Sequence, residues 1–171
     1  MIKFQNEALA QTNTYRTMHC APNLVLSSSI NAIAQAYAVK LVSIGSLVHS
    51  SNGYGENLYA IWSSRPIDLN TFKGSSWSLL FLSYWSIDLL STGSVAIDSW
   101  YNEVNKYNFS APGFSSATGH FTQLVWIASQ QLGMGIACTN DSTSCYVVAN
   151  YYPPGNFGNQ YAANVKPATC V

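Results

Sequence analysis

The sequence predicts an α+β domain in which helices pack on an antiparallel sheet. Three observations carry this. Two N-terminal segments repeat apolar residues at helical spacing, a third does so beyond Gly93, and the C-terminal third offers short strand candidates separated by turn residues. The chain has 171 residues, enough for one substantial core, and reads as a single domain, 1–171.

The elements follow in order. Residues 3–19 read as a helix with Phe4, Ala8, Tyr15 and Met18 or His19 on one loose face, stopped by Pro22. Ser27 to Ser29 offer an N-cap to a second helix over about 29–44. There Ile30, Ile33, Ala34, Tyr37, Leu41 and Ile44 keep helical spacing, and Gly45 ends it. A glycine-rich loop from His49 to Gly55 leads into a short strand-like run, Glu56 to Trp62. Residues 94–107 read as a helix through Ile97, Trp100, Val104 and Tyr107. Three strand candidates close the chain, at 120–127, 133–138 and 145–152.

The segment from about Pro66 to Thr92 breaks this pattern. Its run from Trp77 to Leu90 is too short and interrupted for a membrane span and too apolar for an exposed loop. It reads as an atypical apolar insert.

Composition narrows the function classes. Hydrophobic residues make up 48% and charged residues only 8%, with seven cationic and seven anionic side chains. No basic cluster offers an electrostatic footprint for nucleic acid or an anionic membrane. A surface rich in Ser, Asn, Thr and Tyr fits an extracellular setting, although Met1-Ile2-Lys3-Phe4 carries no secretory signal. Asn108-Phe109-Ser110 and Asn140-Asp141-Ser142 fit the glycosylation acceptor pattern.

Cys20, Cys138, Cys145 and Cys170 allow three pairings. Cys138 and Cys145 flank a turn, so a disulfide can cross that hairpin. It would leave Cys20 and Cys170 to join the end of the first helix to the C-terminus. The alternative is four free thiols.

His49, Glu56, Glu103 and His120 are the residues suited to chemistry. His49 and Glu56 flank one glycine-rich loop, Glu103 stands at the margin of an apolar helix face, and His120 opens a strand candidate. A carboxylate beside a core needs a partner, and imidazole is a suitable one. Two imidazoles and two carboxylates can hold a divalent metal such as zinc, or form a satisfied hydrogen-bond cluster on a cleft floor.

Several blocks, in order, resemble the CAP superfamily: cysteine-rich secretory proteins, antigen 5 and plant pathogenesis-related 1 proteins. They are Asn13 to His19 (with Thr12 where a histidine is usual), Ala34-Gln35-Ala36-Tyr37-Ala38, His49-Ser50, Gly55 to Tyr59 and Trp100-Tyr101-Asn102-Glu103. Gly119 to Trp126 and Asn150 to Asn156 complete the set. The resemblance spans nearly the whole chain apart from 66–92. It implies a three-layer α-β-α sandwich with a central antiparallel sheet. It also implies a cavity lined by His49, Glu56, Glu103 and His120, which in relatives can bind zinc or another divalent metal.

No general catalytic activity follows from the resemblance. Some relatives bind sterols or fatty acids, and many are secreted proteins of defence, venom or reproduction. Tyr107, Phe109, Pro112 and Phe114 space their rings as a lipid-supporting loop of sterol-binding relatives does; the same rings can instead pack the loop onto the sheet. The expectation is a secreted binding protein for a small lipid or sterol, with a divalent metal in the His/Glu cleft. A hydrolase built on that cleft, or a protein-interaction module without a small ligand, are the alternatives. The resemblance also implies a shorter link in place of 66–92. That segment is then an insert, an intron translated in error, or an apolar arm that packs, dimerises or touches membrane.

Overall fold

A computed structural model describes residues 1–67 and 92–170, so the 66–92 segment lies almost wholly outside the described residues. Its edges are ordinary. Ile67 is buried and donates its N–H to the Ser142 carbonyl at 2.7 Å, and Thr92 begins a helix.

Helix α1 (Ile2–Met18) buries Phe4, Ala8, Thr12 and Arg16, one residue per turn. Strand β1 (Val25–Leu26) follows, then α2 (Ser28–Ile44), β2 (Gly55–Trp62), α3 (Thr92–Tyr101) and a 3-10 turn, Asn102–Lys106. The chain ends with α4 (Gly119–Leu124), β3 (Gln131–Cys138), β4 (Ser144–Tyr152) and the short α5 (Tyr161–Asn164). Ser27 caps α2 with its hydroxyl on the Ile30 amide, and Gly45 closes it at φ 74°, in the left-handed conformation that costs glycine least.

The sheet order is β1-β3-β4-β2. The β2/β4 and β3/β4 pairs are antiparallel, whereas β1 runs parallel to β3 through Val25 and Leu26. The expected all-antiparallel sheet is therefore mixed. A two-residue strand has no periodicity to read, and its pairing is set by where α1 and α2 place it.

Both sheet faces are covered. On one face, Ala34, Ala38 and Leu41 of α2 pack with Leu58, Tyr146 and Val148 of the sheet. The alternate residues of β4, Cys145, Val147, Ala149 and Tyr151, join the larger core with Trp100, Phe121 and Trp126. This period-two split of one strand between two cores makes the sandwich.

Gly133 and Gly135 let α2 lie directly on β3. A Cβ at Gly133 would come within 2.3 Å of the Ile30 carbonyl carbon, and one at Gly135 within 2.4 Å of the Gln35 nitrogen. Where β1 stops, side-chain amides continue the ladder along the edge of β3. Gln5 donates to the Met134 carbonyl, Asn31 accepts from the Met134 N–H, and Gln35 does both at Ile136, all at 2.8–3.0 Å. An edge that would otherwise bury unpaired backbone groups is thereby satisfied.

Arg16 secures the opposite layer. Its fully buried guanidinium donates to the carbonyls of Pro22, Leu124, Trp126 and Ser129 at 2.8–3.0 Å. Burial lowers its pKa to about 10, against a smaller upward pull from Tyr151, so it stays a cation at neutral pH. This one side chain ties α1 to the segment that follows α4.

Both disulfides form. Cys138 and Cys145 face each other as a register pair of β3 and β4, and Cys20–Cys170 joins the end of α1 to the C-terminus.

Candidate functional site

His120 does not open a strand. The run from 120 to 127, expected as a strand, forms α4 and the turn after it. Phe121 through Trp126 are all buried, the polar Thr122 and Gln123 included, so residue polarity does not mark the faces of this helix. Glu103 decides the local structure. One carboxylate oxygen accepts the backbone N–H groups of His120 and Phe121 at 3.0 and 3.1 Å, and the other accepts His120 Nδ1 at 2.7 Å. An acidic side chain at a helix start satisfies amides that have no partner within the helix.

The second pair is built in the same way. Glu56, the second residue of β2, accepts His49 Nδ1 at 2.8 Å and the Ser50 amide at 2.9 Å on one oxygen. Its other oxygen takes the Ser50 hydroxyl at 2.5 Å and the Asn150 amide at 3.4 Å. The Glu56 side chain is 6% exposed and that of His49 64%, so a buried anchor holds an exposed ring.

Asn57 places the two pairs at one end of β2. It follows Glu56 in sequence, and its side chain donates to the His120 carbonyl at 3.0 Å. The Trp100 ring stacks near His120, with centroids 6.3 Å apart, and donates its indole N–H to the Leu58 carbonyl.

The geometry gives two oriented His–Glu pairs. Among the described residues, no three His, Cys, Asp or Glu side chains gather as one metal-ligand cluster. A carboxylate can only accept, so each Nδ1 carries the hydrogen, and in a neutral ring Nε2 is left as the lone-pair nitrogen. The carboxylates thus hold the imidazoles from behind, in the manner of carboxylate–histidine supports at metal centres. The residues that could hold a metal are His49 and His120 through Nε2, with water completing the shell. Ser50 gives its hydrogen to Glu56, so it forms no nucleophile–base pair with an imidazole.

The expected lipid loop divides. Tyr107 and Phe109 pack inward against Phe121, with ring centroids 5.5 and 6.2 Å away. Phe114 stands 67% exposed, its ring over Gly119, where an added Cβ would lie 3.3 Å from it. Beside Phe114 opens a pocket of about 330 Å³, walled by Pro112 and Gly113 on one side and Asn156, Asn159 and Tyr161 on the other.

Sequence reasoning missed Asn159 and Tyr161, and placed Asn156 only within a motif. Asn156 donates to the Gly119 carbonyl at 2.9 Å and accepts the Thr122 hydroxyl at 2.6 Å, so it fixes the wall against α4. The Tyr161 hydroxyl is buried with no hydrogen-bond partner among the described residues, a cost of about 1–3 kcal/mol.

The remaining histidine, His19, belongs to the core. It is buried, and its ring nitrogens meet the Lys166 carbonyl at 2.6 Å and the Tyr101 hydroxyl at 3.1 Å. Burial lowers its pKa, against a smaller upward pull from the Lys166 carbonyl.

Comparison with known proteins agrees with this architecture. The Golgi-associated plant pathogenesis-related protein 1 of Homo sapiens is 37% identical, covering 96% of this chain and 94% of that one. Protein PRY2 of Saccharomyces cerevisiae is 32% identical over 96% of this chain, which spans 41% of the yeast protein's length. Among solved structures, BmVAL-1 superposes with a TM-score of 0.74 at 20% identity, covering 98% of this chain and 84% of that one. The structure of NaASP2 with Zn2+ superposes at 0.65 and 18% identity, covering 96% and 86%. Residues 9–151 match the cysteine-rich secretory protein family. The chain belongs to that family, the CAP superfamily.

Proposed function

We propose that this CAP domain is a secreted binding protein that takes up a small lipid or sterol against the 107–114 loop. The observation that carries the reading is Phe114. A large apolar ring is left 67% exposed beside a pocket of about 330 Å³, while its neighbours Tyr107 and Phe109 are used in packing. Concave sites with apolar walls and a few polar groups are the usual form of small-molecule sites. Two disulfides and the scarcity of charge support an extracellular setting. No helix among the described residues is long and apolar enough to cross a membrane.

The test is titration of the purified protein with a fluorescent sterol and a fluorescent fatty acid. Saturable uptake that weakens about tenfold or more in Phe114→Ala supports the reading. Absence of uptake, or uptake indifferent to Phe114→Ala, overturns it and favours a protein-interaction module.

A second reading concerns divalent metal. Each imidazole is held at Nδ1 by a carboxylate, which leaves Nε2 of His49 and His120 as donors. Zinc bound there would supply a Lewis acid with open positions. Glu56 and Glu103 would orient the rings. Calorimetric titration with zinc, repeated on His49→Ala and His120→Ala, checks this; heats equal to those of the parent in both variants would refute it. Among the described residues a hydrolytic reading has no Ser–His hydrogen bond to rest on.

A further inference from the structure

His19 sits behind the loop that walls the pocket. Its ring is fully buried. The Tyr101 hydroxyl meets Nε2 and the Lys166 carbonyl meets Nδ1, while the rings of Phe109 and Phe121 lie with centroids 6.2 and 5.3 Å away. Phe109 belongs to the loop that gives Pro112, Gly113 and Phe114 to the pocket.

The surroundings suit a neutral imidazole. A carbonyl can only accept, so Nδ1 carries the hydrogen and the Tyr101 hydroxyl donates to Nε2. A second proton would bury a cation here, and no acid among the described residues bonds to the ring. The charged and titratable groups around it are engaged elsewhere. On α1, Arg16 serves four backbone carbonyls, and Tyr15 bonds to Asp98 of α3. At the start of α4, Glu103 is spent on the His120 ring and the amides of His120 and Phe121. The Lys166 ammonium bonds to the Ala162 carbonyl. From the loop, Tyr107 packs on Phe109 and Phe121.

Protonation favours any state that lets water reach the ring, and the covers differ in how firmly they are held. Tyr101 is on a helix and stacked on Tyr15 at 3.6 Å. Phe121 is fully buried on α4. Lys166 lies on a tail that the Cys20–Cys170 disulfide fastens beside His19. Phe109 is half-buried on a stretch with no helix or strand. The backbone hydrogen bonds at 107–111 run to Val104 and Asn108, within the same stretch. The loop is therefore the cover that gives.

We propose that His19 makes ligand uptake acid-sensitive: when it takes a second proton, Phe109 and its loop lift from the ring, the Pro112–Phe114 wall moves with them, and the bound lipid or sterol is released. This rests on the lipid-binding reading above and assigns that site its regulation. Burial lowers the pKa of His19 in the closed form. The closed loop is thus at full strength above the ordinary value of about 6.5 and weakens as pH falls through the depressed one.

The test titrates a fluorescent sterol, which does not itself ionise, into the parent chain at about pH 7.5 and about pH 5. The temperature is kept below the melting transition at both. His19→Gln runs beside it, as does the double variant His49→Gln, His120→Gln, since those rings titrate in the same range. Parent affinity should fall about threefold or more on acidification, as the share of closed loop falls. The fall should persist in the double variant and vanish in His19→Gln. Hydrogen exchange of the ligand-free parent, corrected for intrinsic rates, needs no variant to fold: on acidification the 107–114 amides should open and those of 165–170 should not. Uptake of equal strength at both pH values, a fall retained by His19→Gln, or opening of 165–170 in place of the loop overturns the switch and leaves the lipid-binding reading standing. No uptake at either pH overturns both.

Discussion

Glu103 caps the helix that carries His120 and holds the His120 ring as well. The same carboxylate takes Nδ1 at 2.7 Å and two backbone amides at 3.0 and 3.1 Å. Backbone and side chain are therefore positioned by one group, and anything that disturbs Glu103 disturbs both. The Glu56–His49 pair repeats the device, with Ser50 supplying the amide.

Replacing Glu103 with Gln should expose this double role. The neutral amide still accepts one hydrogen bond but loses the charge facing the start of α4. The expected loss is about 1–2 kcal/mol of stability by denaturant melts. If zinc binds at the imidazoles, its affinity should fall about 10- to 100-fold, since supports of this kind orient the ligand. Full retention of both stability and zinc affinity would contradict the assignment.

Gly135→Ala should be costly although it adds one methyl. The new Cβ would stand 2.4 Å from the Gln35 backbone nitrogen, and backbone cannot rotate away as a side chain can. The expected destabilisation is about 1–3 kcal/mol, read as a lowered denaturation midpoint at an unchanged slope. Gly113→Ala is the control, because open space surrounds that position.

The two disulfides should differ in worth. Cys20–Cys170 closes a separation of 150 residues and Cys138–Cys145 one of 7. Loop-closure entropy then predicts losses of about 5 and about 2.5 kcal/mol for the respective double-Ser variants. Equal losses would show that native contacts, rather than the unfolded chain, set their contribution.

Acid should destabilise the fold through His19. Its folded pKa is depressed, so below the ordinary value of about 6.5 the unfolded chain binds the proton more readily. Stability is thus at its full value above that pH and falls as pH drops towards the folded pKa. The groups facing the ring are the Tyr101 hydroxyl and the Lys166 carbonyl, with Tyr15 stacked on Tyr101 at 3.6 Å and bonded to Asp98. Melting temperatures of parent and His19→Gln between about pH 7.5 and about pH 5 decide it: the parent's slope should be the steeper.

Much of this was legible in the chain. The Ser27 and Gly45 caps announce α2, and Phe4, Ala8, Tyr15 and Met18 or His19 announce α1, although the structure buries the polar Thr12 and Arg16 on that helix beside Phe4 and Ala8. The turn between Cys138 and Cys145 makes their disulfide one of three open pairings, and the register of β3 and β4 selects it. The run from 120 to 127 reads as a strand but forms a helix that buries the polar Thr122 and Gln123 together with Phe121, Leu124, Val125 and Trp126, so residue polarity does not report its faces. Its helix is fixed by Glu103, 17 residues away. The parallel β1 and the side-chain amides along β3 were invisible for the same reason: their partners are distant in sequence.

The sequence by itself determined the family, the major helices and the four residues of the two His–Glu pairs, because these depend on residue identity and local order. Only the tertiary structure decided how each pair is wired. It set the carboxylates behind the imidazoles, sent Tyr107 and Phe109 inward, left Phe114 outside and brought Tyr161 to the same pocket. Those outcomes depend on which surfaces of α4, the 107–114 loop and the segment after β4 exclude water together. No stretch of sequence encodes that alone.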